Sequence, residues 1–359
     1  MKIAQIAPLY ESVPPKLYGG TERVVSYLTE ELVRLGHEVT LFASGDSVTT
    51  ARLESGCKKA LRLTRTCADP LAHHTVMLDK VLNAAHEFDI LHFHTDYTHF
   101  PATRNLQLPT VTTLHGRLDL PDLAPLYEQF EKQPLVSISQ SQRRPLGRVN
   151  WVGNVYNGLP LNLFRLQPKP GDYLAFLGRI SPEKRPDRAI QIARKAGMTL
   201  KIAAKVDEAD RRYFETNIRP LLGESGVEFL GEISQAQKNE FLGNAFAYLF
   251  PIDWPEPFGL TMIEAMASGT PTIAFCCGSV PEIIDDGVTG FIVKSEEDAV
   301  KALQRVAGFS RARCRATFER RFTSCRMARS YLSIYDSLVN DLPLSHTVHS
   351  MELSTAALS

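Results

Sequence analysis

Short apolar runs alternate along the chain with segments whose apolar residues recur at helical spacing. In the first half, a strand-like run at residues 3–7 is followed by a helical segment at residues 21–35 that ends at Gly36. Further strands are predicted at residues 38–43, 89–94, 110–114 and 135–138. This alternation is typical of repeated βαβ units, so the sequence predicts an open α/β sheet here.

A second series of strand-like runs begins after residues 153–171, a stretch rich in Pro, Gly and Asn that we interpret as a linker. Its strands are predicted at residues 173–177, 200–203, 227–230, 247–250, 272–275 and 291–293. The expected fold class is therefore α/β, with two consecutive doubly wound domains. Ligands bind outside the carboxyl ends of strands in such sheets, so we expect the site in the cleft between the domains.

The predicted boundaries follow from the two series. The N-terminal domain is expected over residues 1–152 and the C-terminal domain over residues 153–322, with a last helix at about 323–340. Residues 341–359 are Ser/Thr-rich and aperiodic, and we predict a disordered tail there.

Composition narrows the class of protein. The 359 residues, 44% of them hydrophobic, suit two globular cores, and a net charge of zero gives no reason to expect nucleic acid as a partner. The six cysteines form no C-x-x-C pair, which favours reduced thiols. The sequence shows neither a signal peptide nor an apolar run as long as a membrane span, so a cytoplasmic location is expected.

Residues 253–269 carry the most informative chemistry. Glu256 and Glu264 flank a Pro-Phe-Gly turn at residues 257–259, after which a helix is expected to begin. Carboxylates accept charge-assisted hydrogen bonds from sugar hydroxyls, and the amides of a helix's first turn can bind an anion. The segment therefore fits a nucleotide sugar, in which a hexose and a ribose are joined through a diphosphate.

A cation pair follows the first strand of the second series. Arg179 and Lys184 lie in the run Gly-Arg-Ile-Ser-Pro-Glu-Lys at residues 178–184. Arginine can bind phosphate oxygens bidentately and lysine adds a point charge, so together they could offset a diphosphate. The alternative is a solvated charged loop, which is the usual role of such runs.

On these motifs the chain resembles the family 4 retaining glycosyltransferases, from the loop at residues 18–20 to the helices after Gly290. The resemblance implies the GT-B fold, two Rossmann-like domains facing an inter-domain cleft. It also implies that the donor lies mostly on the second domain and that the final helix crosses back onto the first. The implied activity is transfer of a hexose from a nucleotide-diphosphate sugar, with UDP-glucose or GDP-mannose as the expected donor, to an acceptor hydroxyl.

The resemblance also implies roles for individual residues. Among the catalytic residues, His115 would lie beside the donor hexose, Glu256 would contact that hexose, and Arg179 with Lys184 would stabilise the departing nucleotide. The donor-binding residues are implied to be Gly19, Gly20, Ile233, Phe258, Gly259, Leu260 and Glu264, with Ile233 near the base and Glu264 on the ribose. Many relatives have glycine after the lysine where this chain has Arg185, which leaves the geometry of that loop open.

No metal and no cofactor are predicted. His92 and His94 alternate on one strand face and His99 follows, but two histidines do not make a closed zinc site and no ligand partner has suitable spacing. The chain also has no Asp-x-Asp element of the kind that other glycosyltransferase folds use to hold a divalent ion. Protein cations are expected to replace the metal.

Several alternatives stay open. The arginine-rich segment at residues 311–329 is either a solvated helix face or a weak contact with an anionic membrane surface, which would place the protein at the inner face of the membrane. No G-x-G-x-x-G follows a predicted strand, which argues against a dinucleotide oxidoreductase. A nucleotide-sugar epimerase and a non-catalytic nucleotide-sugar-binding protein remain rival functions. The acceptor is unknown, and loops at residues 11–17 and 116–126 are expected to shape its site.

Overall fold

The structure is a computed structural model that describes residues 1–64, 67–223 and 226–340. The tail predicted at residues 341–359 lies outside these ranges.

A seven-stranded parallel sheet forms the first half of the molecule, in the order β3-β2-β1-β4-β5-β6-β7. Its strands are β1 Lys2–Ile6, β2 Glu38–Ser44, β3 Arg52–Cys57, β4 Ile90–Phe93, β5 Thr110–Thr113, β6 Leu135–Ser137 and β7 Trp151–Asn154. Its helices are α1 Gly20–Arg34, α2 Pro70–Asn83, α3 Phe100–Thr103, α4 Leu123–Gln129 and α5 Gln140–Arg143. The strand order reverses between β1 and β4, which is where such sheets bind ligands.

A six-stranded parallel sheet follows, in the order β10-β9-β8-β11-β12-β13. Its strands are β8 Tyr173–Arg179, β9 Thr199–Lys205, β10 Val227–Gly231, β11 Ala245–Phe250, β12 Thr272–Phe275 and β13 Gly290–Val293. The remaining helices are α6 Pro186–Ala196, α7 Arg211–Tyr213, α8 Arg219–Leu222, α9 Gln235–Gly243, α10 Leu260–Ala267, α11 Val280–Ile283, α12 Glu296–Val306, α13 Arg311–Arg321 and α14 Ser324–Asn340. A π-helical turn, Phe214–Ile218, joins α7 to α8, and 3₁₀ turns lie at Leu61–Leu63, Ala85–Glu87, Pro182–Lys184 and Glu208–Asp210.

The predicted fold class is confirmed, since both sheets are parallel and helices separate their strands. Two strands were not predicted, β3 and β7, and both lie at the edges of the first sheet. Their residues are partly exposed, so they lack the continuous apolar run of a central strand. The end of β7 lies within residues 153–171, which the sequence suggested as a linker.

The last helix returns to the first sheet. Tyr331 and Tyr335 of α14 are fully buried, and the helix packs along α1. The Tyr335 hydroxyl lies 2.6 Å from His92 Nδ1 of β4, and the Tyr331 hydroxyl lies 2.9 Å from Thr113 Oγ1 of β5. None of the helices in the described ranges has both the length and the apolar character that a membrane span requires.

Candidate functional site

A cleft of about 640 Å³ lies between the two sheets, at the carboxyl ends of their central strands. Each residue for which the sequence predicted a role lines it: Gly19, Gly20, His115, Arg179, Lys184, Ile233, Glu256, Phe258, Gly259, Leu260 and Glu264. The structure therefore brings the predicted site residues of both domains into one cavity, while their individual roles stay predictions.

Lys184 and Glu256 form an ion pair on the second-domain wall of the cleft. The Lys184 ammonium donates to Glu256 Oε2, and the two side chains are only 17% and 12% exposed. The same ammonium lies 5.0 Å from the centre of the Trp254 ring and 5.8 Å from that of Phe250. Carboxylate and aromatic rings together hold the cation in place.

Arg179 ends β8 and is surrounded by acids. Its guanidinium donates to Glu183, and Asp210 Oδ2 lies 3.4 Å from its Nε. Burial acts to lower the pKa of Arg179, but the neighbouring Tyr18, Glu183 and Asp210 outweigh this effect and raise it. The side chain therefore stays cationic in the cleft. Nothing in the sequence connected Asp210 with this site, because it follows a different strand.

Glu264 lies on α10 and is buried, with 1% of its side chain exposed. Both carboxylate oxygens accept from Lys238 Nζ of α9, at 2.9 and 3.2 Å. A carboxylate at this depth is costly to bury unless it has such a partner. Lys238 also lines the cleft, and sequence reasoning missed it since its partner is 26 residues away on another helix.

The amino end of α10 faces the same cleft. Gly259 precedes the helix with φ of +80°, and a Cβ there would lie 2.7 Å from Met262 Cε and 3.0 Å from Phe250 Cζ. Only glycine fits both the left-handed backbone and this space. The turn leaves the first amides of α10 without intrahelical partners, as at any helix start, so they can meet an anion.

The glycine loop of the first domain lies against this helix. Gly19 precedes α1, and a Cβ at Gly20 would lie 3.7 Å from Leu260 Cδ1. Close by, the Tyr18 amide donates to Glu232 at 2.9 Å, and Arg23 donates to Gln235 at 3.0 Å. The two domains are therefore in direct polar contact beside the cleft.

His115 follows β5 and lines the cleft from the first domain. Its Nε2 lies 2.9 Å from Nδ1 of His94, which is 2% exposed. Burial lowers the pKa of His115 to about 4, so the ring is neutral near pH 7. Sequence reasoning had considered His94 only as a metal ligand.

The three histidines of the metal hypothesis bind side chains of the protein. His92 and His94 do share a face, with ring centres 4.1 Å apart. His92 lies 2.7 Å from Thr113 Oγ1, and His99 lies 3.0 Å from Thr112 Oγ1. Within the described ranges, no group of three or more His, Cys, Asp or Glu side chains could hold a metal ion.

The structure shows how Arg185 is accommodated at the position after Lys184, where the resemblance implies glycine. It adopts a left-handed conformation, with φ of 53° and ψ of 52°, which glycine takes without cost. Its guanidinium binds Asp187 at 2.9 Å and Asp253 at 2.9 Å. These ion pairs hold the arginine in a backbone conformation that it would otherwise avoid.

The arginine-rich segment is largely internal. Arg311 donates to three main-chain carbonyls and to Thr270, and Arg315 donates to three further carbonyls. Arg321 binds Asp285 at 2.6 Å. Four arginines of the segment are exposed, namely Arg313, Arg320, Arg326 and Arg329. The run is therefore neither a purely solvated face nor an uninterrupted basic surface.

Two family models match the chain. The model described as Glycosyltransferase Family 4 matches residues 18–153, and the model described as Glycosyl transferases group 1 matches residues 164–310.

Among curated relatives, the chain is 31% identical over 154 residues to the D-inositol 3-phosphate glycosyltransferase of Mycobacterium leprae, a match that covers 41% of this chain and 36% of that protein. The chain thus spans about a third of that relative's length. It is 25% identical over 336 residues to the phosphatidyl-myo-inositol mannosyltransferase of Mycolicibacterium smegmatis, covering 83% of this chain and 82% of that protein.

Solved structures share the arrangement of both domains. AviGT4, a glycosyltransferase involved in avilamycin A biosynthesis, superposes with a TM-score of 0.74 at 23% identity, over 95% of this chain and 98% of its own. Sucrose-phosphate synthase of Thermosynechococcus elongatus superposes with a TM-score of 0.78 at 18% identity, over 94% of this chain and 99% of its own. Anabaena HepE in complex with UDP and glucose superposes with a TM-score of 0.72 at 19% identity, over 94% of this chain and 100% of its own.

Proposed function

The chain belongs to the family 4 glycosyltransferases with the GT-B fold, and from that premise we propose that it is a retaining hexosyltransferase. It would move a hexose from a nucleotide-diphosphate sugar to an acceptor hydroxyl, without a metal ion or other cofactor. The observation that supports this most directly is the convergence, in one cleft, of two cations, two carboxylates and the amino end of α10.

The proposed mechanism depends on charge at the leaving group. As the anomeric C–O bond breaks, positive character develops on the sugar and negative charge on the diphosphate. Arg179, Lys184 and the first amides of α10 are positioned on one wall of the cleft, so they would stabilise the departing nucleotide. Preorganised groups of this kind make the largest contribution, since they need no rearrangement as the charge develops.

The carboxylates would bind and orient the sugars. Glu256 is held by Lys184, so we expect a hydrogen-bond acceptor for the hexose hydroxyls and not an attacking nucleophile. Glu264 would accept from the ribose hydroxyls while Lys238 holds its carboxylate in place. The acceptor would then enter on the face that the nucleotide leaves, which gives retention of configuration.

A binding screen identifies the donor. The relatives include a mannosyltransferase, and a solved neighbour contains UDP-glucose. GDP-mannose and UDP-glucose are therefore both candidate donors. Thermal unfolding with UDP, GDP, ADP and their hexose conjugates should show one base raising the apparent Tm, because a ligand that binds only the folded state stabilises it. No shift with any of them would contradict the proposal.

Turnover then separates the rival functions. With the stabilising donor, inositol 3-phosphate and phosphatidylinositol are the first acceptors to try, since these acceptors appear in the relatives' names. A transferase needs an acceptor to form product faster than it hydrolyses the donor. The anomeric configuration of that product, measured by NMR, should match the configuration of the donor. An epimerase would convert the donor alone, and a binding protein would convert nothing under either condition.

A further inference from the structure

A chain of buried side chains connects His115 of the cleft to the last helix. It runs from His115 through His94 and Gln5 to Tyr335 of α14, crossing the neighbouring central strands β5, β4 and β1. Gln5 and Tyr335 are 0% exposed and His94 is 2% exposed. Polar groups at such depth are costly unless each donor meets an acceptor, so their hydrogen bonds constrain one another.

The protons of this chain can be assigned from its hydrogen bonds. Gln5 Nε2 donates to the Tyr335 hydroxyl at 3.1 Å, which places the amide oxygen toward His94. His94 Nε2 lies 2.8 Å from that oxygen. An amide oxygen only accepts, so His94 carries its proton on Nε2 and donates it.

The assignment continues to the cleft. Burial lowers the pKa of His94 well below its ordinary value, so the ring carries one proton and its Nδ1 is an acceptor. His115 Nε2, 2.9 Å away, must then be the donor. A neutral His115 with its proton on Nε2 keeps Nδ1, on the other side of the ring, as a lone-pair acceptor.

The other end of the chain is consistent with this direction. The Tyr335 hydroxyl accepts a hydrogen bond from the Gln5 amide nitrogen. The same hydroxyl lies 2.6 Å from His92 Nδ1, to which it can donate. His92 Nε2 then donates to Thr113 Oγ1 at 2.7 Å. The Gln5 amide nitrogen also lies 3.4 Å from His92 Nδ1, which agrees with an acceptor at that ring nitrogen. The donor and acceptor roles assigned to His92, His94, Gln5 and Tyr335 are therefore mutually consistent.

We propose that Tyr335, Gln5 and His94 are positioning residues that hold His115 as the Nε2–H tautomer, so that its Nδ1 accepts a hydrogen bond from a hydroxyl of the sugar bound in the cleft. The kinetic part of this inference rests on the proposed transferase function, while the tautomer itself does not. The last helix thereby takes part in the site although it contributes no side chain to the cleft lining.

The tautomer is measured directly on the protein alone. Protein labelled with ¹⁵N in its histidine rings should show His115, assigned by its absence in His115→Gln, with a protonated Nε2 and a bare Nδ1. In Gln5→Met, which removes the amide at similar volume, we expect a mixture of tautomers. Thr112→Val is the control, because it removes the partner of His99 and leaves the chain to His115 intact.

Two results would overturn the proposal. The first is a wild-type His115 protonated on Nδ1, which would mean that the Gln5 amide is turned over and that every bond in the chain runs the other way. The second is an unchanged His115 spectrum in Gln5→Met. Both are read without substrate, so they remain informative even if no nucleotide sugar is turned over.

Kinetics test the consequence for transfer. Gln5→Met should lower kcat by about tenfold or more with little change in the donor KM, since a small displacement of a reacting partner is enough for such a loss. Gln5→Glu keeps an acceptor for His94 Nε2 and should recover most of the rate. Equal losses in Gln5→Glu and Gln5→Met would indicate a structural effect and refute the positioning role.

A matched pair of tyrosines tests the part played by the helix. Tyr335→Phe removes the hydroxyl that orients Gln5, and we expect a partial shift of the His115 tautomer. Tyr331→Phe removes an equally buried hydroxyl of the same helix, whose partner is Thr113 at 2.9 Å. The role of α14 is refuted if Tyr335→Phe leaves His115 as in wild type, or if both variants change it equally.

Discussion

The cations proposed to bind the diphosphate are each paired with a carboxylate. Lys184 contacts Glu256, and Arg179 contacts Glu183. An incoming diphosphate therefore competes for charges that are already positioned, and the site needs little reorganisation to receive it. The same pairing keeps Glu256 fixed on the wall of the cleft, where a hexose hydroxyl can reach it.

Lys184→Ala should lower turnover at saturating donor by roughly a hundredfold, the loss typical of removing one charge-stabilising donor. Initial rates with the donor identified by the binding screen provide the measurement. Lys201→Ala is a matched control, since Lys201 also combines a carboxylate, Glu228 at 3.3 Å, with an aromatic ring, Tyr173 at 4.6 Å, yet does not line the cleft. Near-normal turnover of Lys184→Ala would contradict the assigned role.

The buried histidines make stability depend on pH. Burial lowers the pKa of His99 to about 3, well below the value of about 6.5 in the unfolded chain. Between those values the unfolded state binds more protons, so stability is lost as the pH falls below about 6.5. His92, His94 and His115 act in the same direction.

We expect His99→Gln to reduce this loss. Between pH 7 and pH 5, the free energy of unfolding should fall by about 2 kcal/mol less in the variant than in the wild type, which is the contribution of one such histidine. Urea denaturation at the two pH values measures the difference. Parallel curves for the two proteins would show that His99 titrates normally in the folded state.

At the residue scale, the sequence predicted the side chains that lie close together in one motif. Glu256, Glu264 and the Pro-Phe-Gly turn share a single segment, so their spacing alone placed them on one wall. Lys238 and His94 could not be found in this way, because each acquires its partner only when separate elements pack together. Spacing in a sequence carries no information about such contacts.

At the element scale, the central strands were predictable and the edges were not. The six strands of the second sheet were all predicted, whereas β3 and β7 of the first were missed. Central strands are buried on both faces and read as apolar runs, but an edge strand such as Arg-Leu-Glu-Ser-Gly-Cys at residues 52–57 does not. The sequence of α13 likewise could not show which of its arginines are internal. Arg311 and Arg315 donate to main-chain carbonyls inside the fold.

The turn before α6 offers a test at this scale. Arg185→Val should lower the free energy of unfolding by about 1–2 kcal/mol more than Arg185→Gly, because both variants lose the ion pairs but only the branched side chain is strained in a left-handed conformation. Chemical denaturation of the two variants side by side measures it. If they are equally stable, the left-handed conformation is not maintained.

At the scale of the whole molecule, polar contacts join the domains on two sides of the cleft. Glu232 of the second domain accepts from the Tyr18 amide, and Gln235 accepts from Arg23 in the first turn of α1. Glu282 accepts from the amides of Gln140 and Ser141 at 2.7 and 2.6 Å. One cluster of buried apolar residues also extends through both domains, with Val24 of the first and Ile263 of the second among its members. Apolar packing therefore joins the domains in addition to these polar contacts.

The four exposed arginines of the segment at residues 311–329 are the part of the segment that could contact an anionic membrane surface. Each basic residue near an anionic surface contributes about 1 kcal/mol, and salt screens the attraction, so we expect weak binding. The protein should float with anionic liposomes at low ionic strength and remain in the soluble fraction at physiological salt.

A charge-reversal pair tests whether the exposed arginines cause that binding. Arg326→Glu with Arg329→Glu should abolish flotation at low salt, because the change reverses two of the four exposed charges. Arg148→Glu with Arg212→Glu is the control, since it makes the same change in net charge at exposed sites outside the segment. Equal loss in both double variants would assign the binding to net charge, and recovery of the wild type only in the soluble fraction at low salt would remove the membrane contact altogether.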